Sequence, residues 1–154
     1  MKRTTNILDR IGSLIPGYAG YAERDGRRNC DKILRDGIVS KLIEVEKILY
    51  DQMSEALKKK DKELMNTIEE TRKEINTFTS KVKFAPHGAT GFFNDKQIKE
   101  DELLNIYQID FELADSTDHL YTKIKTLPPT EVKIKLVSCQ EILNKRNSYI
   151  NEFK

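Results

Sequence analysis

Four arginines near the start of the chain lie close together by helical steps, and such a group could bind an anion. They are Arg24, Arg27, Arg28 and Arg35, and they follow the aromatic residues Tyr18 and Tyr21. Guanidinium groups bind phosphate and carboxylate oxygens in pairs and stack on aromatic rings, so this group predicts a site for a small anionic ligand. Asp31 lies three residues after Arg28 and four before Arg35, which offers intrahelical ion pairs as the alternative. The sequence leaves both interpretations open.

Histidine and cysteine provide the other candidates for chemistry. His87 lies in a glycine-rich segment near Phe92 and could be a ligand or a general base. His119 is not preceded by glutamate at the third position, so the Glu-x-x-His pattern of diiron helical proteins is missing. Cys30 and Cys139 lie among apolar helix positions, where a buried thiol is inert. We therefore predict no catalytic residue, no metal and no cofactor, and keep an enzyme using His87 as the last alternative.

Two glycine–aromatic turns share their spacing. Gly17-x-x-Gly20-Tyr21 and Gly88-x-x-Gly91-Phe92 each precede a long helical pattern. A shift of about 71 positions also pairs apolar residues of the two helices that follow: Ile33 with Leu104, Ile38 with Ile109, Leu42 with Leu113, and Leu49 with Leu120. This repeat predicts two related helical hairpins, although two periodic helices also match by chance. The first turn lacks the GxGxxG fingerprint and its preceding strand, so we do not expect it to bind a nucleotide.

Apolar residues at steps of three and four predict five helices. The first covers 7–15 and ends at Pro16-Gly17, the second runs from Glu23 to Ala56, the third from Asp61 to Val82, the fourth ends at Pro128-Pro129, and Thr130 caps the fifth. The predicted core face of the fifth helix comprises Ile134, Val137, Ile142, Tyr149, Ile150 and Phe153. Gly37 costs the second helix about 1 kcal/mol relative to alanine and therefore predicts close packing there.

These elements predict an all-α fold. Short connections favour antiparallel neighbours, so we expect an up-and-down bundle of four long helices with a short N-terminal helix. The 154 residues suffice for a single domain, 1–154, with its own core.

Charge and hydropathy exclude several classes of protein. The chain has 27 Lys and Arg against 25 Asp and Glu, a net charge of +2, which provides no general attraction to nucleic acid or anionic membranes. The arginine group has no long basic extension, so we expect no binding to duplex nucleic acid. No secretory signal or membrane span is visible. Two distant cysteines indicate reduced thiols, and we expect a cytoplasmic protein.

Charge is nevertheless segregated along the chain. Residues 100–118 contain seven acids and no Lys or Arg, whereas residues 58–62 contain four Lys. The basic first long helix could pair with the acidic third one inside the bundle. The same pattern could form a docking face for a partner or a second copy.

Two segments, GYAGYAERDGRRNCDKILRD and APHGATGFFND, resemble segments of a group of small bacterial all-helical proteins that has no known activity. The resemblance implies a bacterial helical protein and adds no function. Our first hypothesis is a non-enzymatic bundle that acts through a protein partner or as a homo-oligomer. The alternative is a binder of a small anionic ligand. The predicted ligand- or partner-binding residues are Tyr18, Tyr21, Arg24, Arg27, Arg28, Arg35, His87 and Phe92.

Overall fold

The computed structural model describes residues 2–85, 91–94 and 97–153, with side chains from residue 6 onward. Its five helices are α1 (Lys2–Leu14), α2 (Arg27–Lys58), α3 (Lys62–Lys83), α4 (Glu100–Lys123) and α5 (Pro129–Asn151). Single 3-10 turns cover Arg24–Gly26 and Gly91–Phe93. The described ranges contain no strand, so the predicted all-α bundle is confirmed. None of the helices in these ranges is long and apolar enough to cross a membrane.

The ends of the helices follow local chemistry. Asp61 caps α3, because its carboxylate accepts the backbone N–H of Leu64 at 3.1 Å. The predicted cap of α5 by Thr130 is wrong: Pro128 is the capping residue and Pro129 is the first helical residue. Proline is tolerated there because the first turn of a helix does not use that N–H in its hydrogen-bond ladder. The preceding helix α4 ends at Lys123, ahead of the proline pair.

Each long helix packs antiparallel to its partner in a hairpin. In the first hairpin, Arg35 Nη1 on α2 donates to the carbonyl oxygen of Lys83 at the end of α3. Further along α2, Glu46 pairs with Arg72 of α3 at 2.6 Å. Early residues of α2 therefore meet late residues of α3. The second hairpin has the same geometry, since residue 146 of α5 binds residue 110 of α4 and residue 149 binds residue 102.

The two hairpins lie side by side. α2 packs against α4, where Lys41 pairs with Asp118 at 2.9 Å, and α3 packs against α5, where Glu70 pairs with Lys133 at 3.0 Å. The first of these pairs joins the basic first long helix to the acidic third one, which is one of the two arrangements that the charge pattern left open. In a simple up-and-down bundle each helix packs beside the next one along the chain. The up-and-down order of the helices stays a prediction, and so does the duplication that would relate the two hairpins.

The predicted core face is largely confirmed for α2 and only partly confirmed for α5. On α2, apolar residues at steps of three and four predict the core face Cys30, Leu34, Ile38, Leu42, Val45, Leu49, Met53 and Ala56, and all of them are buried except Met53, which is partly buried. On α5, Ile134 and Val137 are 62% and 52% exposed, so their assignment to the core was wrong. Ile150 and Phe153 of the predicted face are buried, and the other buried residues of α5 are Val132, Leu136, Cys139, Leu143 and Arg146. Apolar residues lie on more than one side of this helix, so periodicity alone did not identify the buried side.

Gly37 marks a close approach, as predicted. A Cβ atom on this residue would lie 2.9 Å from Cδ1 of Ile15, the buried residue that follows α1. The absence of a side chain on Gly37 therefore lets the end of the short N-terminal helix rest directly on α2.

Both cysteines are buried, and burial raises the pKa of each thiol to about 11. At pH 8 only about one thiol in a thousand would be ionised, and the thiolate is the reactive form. We expect neither Cys30 nor Cys139 of the folded protein to react with a thiol reagent within minutes at pH 8. The denatured protein should react with two equivalents of the thiol reagent at once, measured by the absorbance of the chromophore that the reagent releases. Rapid stoichiometric reaction of the folded protein would contradict the burial of these residues.

Candidate functional site

The densest group of polar side chains is sealed inside the bundle around Arg146. This α5 residue is 1% exposed, and its Nε donates to Oδ1 of Asp110 on α4 at 2.6 Å. Its Nη2 donates to Oδ1 of Asp31 on α2 at 2.8 Å. One guanidinium therefore connects three helices through two buried carboxylates.

The second carboxylate also has a partner on its own helix. Arg35 binds Oδ2 of Asp31 through Nε and Nη2, both at 2.9 Å. The ion pair predicted from the four-residue spacing is thus present. It is buried rather than exposed, since the two side chains are 10% and 1% accessible. A buried pair of this kind is costly to break, because removing one partner leaves a charge without compensation.

The first glycine–aromatic turn supplies the remaining partners of Asp110. The hydroxyls of Tyr18 and Tyr21 donate to its Oδ2 at 2.6 and 2.5 Å. The backbone N–H of Tyr21 donates in turn to the hydroxyl of Tyr107 on α4 at 2.9 Å. Gly20 permits this approach: its φ is +93°, and a Cβ atom there would lie 2.6 Å from the Tyr107 hydroxyl.

The charges of this group balance. Two carboxylates, Asp31 and Asp110, face two guanidiniums, Arg35 and Arg146. Burial acts to lower the pKa of Arg146, but Asp110, Tyr21 and Asp31 outweigh it, so the pKa lies well above its ordinary value. Burial, followed by the charge of Asp110, raises the pKa of Tyr21 well above its ordinary range. Both pKa directions favour a charged arginine and a protonated tyrosine.

This arrangement holds helices together and is closed to a substrate. Asp110 and Tyr21 are fully buried, and Asp31 is 1% exposed. The carboxylate oxygens already accept hydrogen bonds from arginine or tyrosine. A ligand would have to displace these donors and open the bundle to reach them.

The structure divides the predicted site residues into two groups. Tyr18, Tyr21 and Arg35 belong to the buried network, and the Phe92 ring lies in the core with its centroid 4.9 Å from that of Tyr21. His87 lies outside the described residues. Within the described part of the chain, no three His, Cys, Asp or Glu side chains come close enough to hold a metal ion.

The other three predicted residues gather at the start of α2. Arg27 is buried, with Nε bound to the carbonyl of Tyr21 at 2.9 Å and Nη1 bound to the carbonyls of Phe92 and Asn94 at 3.3 Å each. Arg28 donates to the side chain of Asn94 and lies over the ring of Phe93. These arginines hold residues 92–94 against the start of α2.

Two neighbouring clefts border these arginines and have Arg24 in common. The first, of about 490 Å³, is lined by Ala22, Arg24, Arg27, Gln97 and Ile98. The second, of about 340 Å³, is lined by Arg24, Asp25, Arg28, Phe93 and Asn94. Burial, and then the positive charge of Arg24, lower the pKa of Arg27. Like charges are therefore held close together at a concave surface.

Comparison with known proteins assigns no function. No protein family model, no curated protein and no solved structure matches this chain. Its function is therefore inferred from its own residues.

A further surface was absent from the sequence predictions. Ile43, Tyr50 and Leu57 are 45%, 52% and 61% exposed, and their seven-residue spacing puts them along one side of α2. We call these three residues the α2 stripe. The period of apolar residues predicted the buried face of α2 and did not include these three residues, because they lie beside that face. Their common spacing was the signal that could have revealed them.

The sequence predictions also missed Asp110 and Arg146. Both lie at core-facing positions of their helices: Asp110 lies four residues after the buried Ile106, and Arg146 lies three residues after the buried Leu143. A charged residue at a position that the helical period assigns to the core was the available signal, because such residues are almost always paired. The pairing itself could not be predicted, since the partners are up to 115 residues apart.

We expect Arg146→Met to lower the free energy of unfolding by about 3–5 kcal/mol, because it leaves an uncompensated negative charge in the core. Arg72→Met is the matched control. Arg72 also binds two glutamates, but its side chain is 18% exposed, so we expect a loss of about 1 kcal/mol or less. Urea unfolding followed by circular dichroism at 222 nm measures both. Equal losses would show that the buried network carries no special weight.

Proposed function

We propose that this chain is a non-enzymatic helical-bundle protein that acts by binding another protein chain, and that the α2 stripe is its docking face. The observation that carries the proposal is the regular exposure of three large apolar side chains on one helix. Single exposed apolar residues are ordinary on protein surfaces, whereas an aligned group is typical of interaction sites. A helix with apolar residues in register offers the geometry that partner helices recognise.

The middle of the stripe is held in place for docking. The guanidinium of Arg72 on α3 lies 5.1 Å from the centre of the Tyr50 ring. Arg72 is itself bound by Glu46 and Glu69, so the ring rests on a fixed support. A pre-positioned aromatic ring binds a partner at a smaller entropic cost than a mobile one. Tyrosine and arginine are also the residue types that contribute most energy at interfaces.

Other elements of the proposal rest on composition and resemblance. We place the protein in the cytoplasm, because its two thiols are separate and fit a reducing compartment. The resemblance of its two glycine–aromatic segments favours a bacterial source.

The test replaces the three residues of the α2 stripe and compares the proteins that the variant and the wild type capture. We expect the variant Ile43→Lys, Tyr50→Lys, Leu57→Lys to keep its helical spectrum and melting temperature, since these side chains already face solvent. It should lose its protein partner, measured by quantitative affinity capture from the native host and by sedimentation of the purified protein.

The matched control is Ile134→Lys, Val137→Lys. These residues are equally exposed on the outer side of α5, so this variant should bind as the wild type does. Loss of binding in both variants, or in neither, would contradict a docking face on α2.

A second candidate function, binding of a small phosphate- or carboxylate-bearing ligand, is favoured by the two clefts that share Arg24. A bound anion would relieve the repulsion between Arg24 and Arg27 that contributes to the lowered pKa of Arg27. The Arg28 fork lies in the adjoining cleft. Guanidinium groups are suited to bidentate contact with oxyanions.

We expect pyrophosphate to raise the melting temperature of the wild type by several degrees and to leave Arg24→Gln, Arg28→Gln unaffected. The control Lys58→Gln, Lys59→Gln changes the net charge equally at the exposed end of α2 and should respond as the wild type does. Differential scanning fluorimetry over a pyrophosphate titration measures all three. An equal response of both variants would show that pyrophosphate raises the melting temperature only through general screening of charge.

A further inference from the structure

We infer that a groove between α3 and α5 binds an extended peptide segment of another protein, and that the carboxamides of Asn144 and Asn147 hold this segment by its backbone. We call this cleft the α3–α5 groove. Its volume of about 620 Å³ exceeds that of either arginine cleft. The groove is lined by no residue of the α2 stripe, so the inference goes beyond the proposed function and does not depend on it.

The groove has an apolar base and an apolar wall. Leu143 of α5 is 2% exposed and lies at the base, whereas Phe84, directly after α3, is 73% exposed. Ser80 of α3 adds a hydroxyl to the lining. An aromatic ring that extends this far into solvent offers a partner side chain a large apolar surface to cover.

Carboxamide side chains follow the α5 side of the groove. Asn144 and Asn147 line it, about one helical turn apart. Gln140 lies four residues before Asn144 and Asn151 lies four residues after Asn147, so all four lie along one side of α5. At 1.5 Å per residue, the row from Gln140 to Asn151 is about 16 Å long. An extended chain of about five residues has the same length, at about 3.3 Å per residue.

Such a row is suited to the backbone of an extended peptide. Each carboxamide carries a carbonyl acceptor and an N–H donor, the same pair of groups that a peptide unit presents. In an extended chain, alternate residues direct these groups to the same side, at a repeat of about 6.6 Å. Steps of three and four residues on a helix correspond to about 4.5–6 Å, so neighbouring carboxamides can reach alternate residues of one peptide.

Asn147 has an unused acceptor. Among the residues that the structure describes, its Oδ1 is the only buried side-chain polar atom without a hydrogen-bond partner. Buried polar groups are nearly always bonded, so an exception requires an explanation. The terminal torsion of asparagine turns easily, and a turn toward the groove lets Oδ1 accept a backbone N–H of the bound peptide. The ligand then supplies the donor that the bundle does not.

Charge favours an acidic residue at the Phe84 end of the groove. In the ranges described, Lys81 is the only charged side chain in the lining, and Nζ of Lys83 lies 5.6 Å from the centre of the Phe84 ring. The acids of α3 and α5 that are nearest to the lining residues in sequence lie toward the opposite end, at Glu70, Glu74 and Glu141. We therefore expect the partner to place an apolar side chain against Phe84 and an acidic one beside it.

The probe is a random seven-residue peptide library displayed on phage. We expect the full chain to enrich peptides in which an apolar residue neighbours an acidic one. Asn144→Ala, Asn147→Ala should weaken the binding of a selected peptide at least tenfold, measured by fluorescence polarisation. The matched control Asn76→Ala, Gln108→Ala removes two exposed carboxamides outside the groove and should bind as the wild type does.

Methylation of the peptide backbone tests the mode of recognition. A methyl group on a single backbone nitrogen removes one N–H and leaves every side chain unchanged. We expect methylation at alternate positions to weaken binding at least tenfold and methylation at the positions between them to have little effect. Equal tolerance at all positions would show that only side chains are recognised and would overturn backbone binding by the carboxamides.

The stability of Asn147→Leu separates a binding role from a structural one. This variant removes the unpaired acceptor, so we expect the melting temperature to stay the same or rise while peptide binding is lost. Asn76→Leu, at an exposed position of α3, corrects for the change in helix propensity. A melting temperature several degrees below that of Asn76→Leu would show that Asn147 serves the fold and would overturn its role in binding.

Two results of the selection would overturn the inference as a whole. One is the absence of any peptide enriched above an unrelated control protein. The other is a set of peptides that bind Asn144→Ala, Asn147→Ala as tightly as the wild type. If the α2 stripe variant loses those same peptides, they bind the stripe, and the proposed function stands while the groove does not.

Discussion

The structure depends on one buried guanidinium. Arg146 binds Asp110 of α4 and Asp31 of α2 from its place on α5, so a single side chain sets the positions of three helices relative to one another. Sliding any of these helices by one residue, about 1.5 Å, would break a hydrogen bond to a buried charge. Apolar packing alone tolerates such shifts more readily, because it is not directional. The network therefore specifies the register of the bundle.

The same network also secures the chain around the bundle. Tyr18 and Tyr21 bring the turn after α1 onto Asp110, and Arg27 holds the 3-10 turn Gly91–Phe93 against the start of α2. Residues 91–93 thus meet the first glycine–aromatic turn, with the Tyr21 and Phe92 rings edge-to-face at 4.9 Å between their centroids. Residue types that elsewhere carry catalysis are used here to hold the fold together.

The proposed docking surface lies on the outside of the bundle. α2 is continuous for 32 residues and presents its stripe to solvent while its other side forms the core. The helix that displays Tyr50 is the one anchored through Asp31 and Arg35, so the buried network also holds the proposed docking surface in place. A long helix held at its start by buried charges keeps a distant apolar face straight and in place.

The sequence by itself determined the five helices, most of their ends and the core face of α2. These features depend on the period of apolar side chains and on proline and glycine, which act within a few residues. The Asp31–Arg35 pair was predictable for the same reason, since one turn of helix separates the two.

Only the tertiary structure decided what lies between the helices. The hydrogen bonds that join Asp31, Asp110 and Arg146 depend on how α2, α4 and α5 pack, and no local pattern encodes them. The buried side of α5 was decided in the same way, because two of its faces are apolar and the neighbouring helices selected one. The α2 stripe became recognisable as a surface only when packing showed which apolar residues of that helix stay exposed.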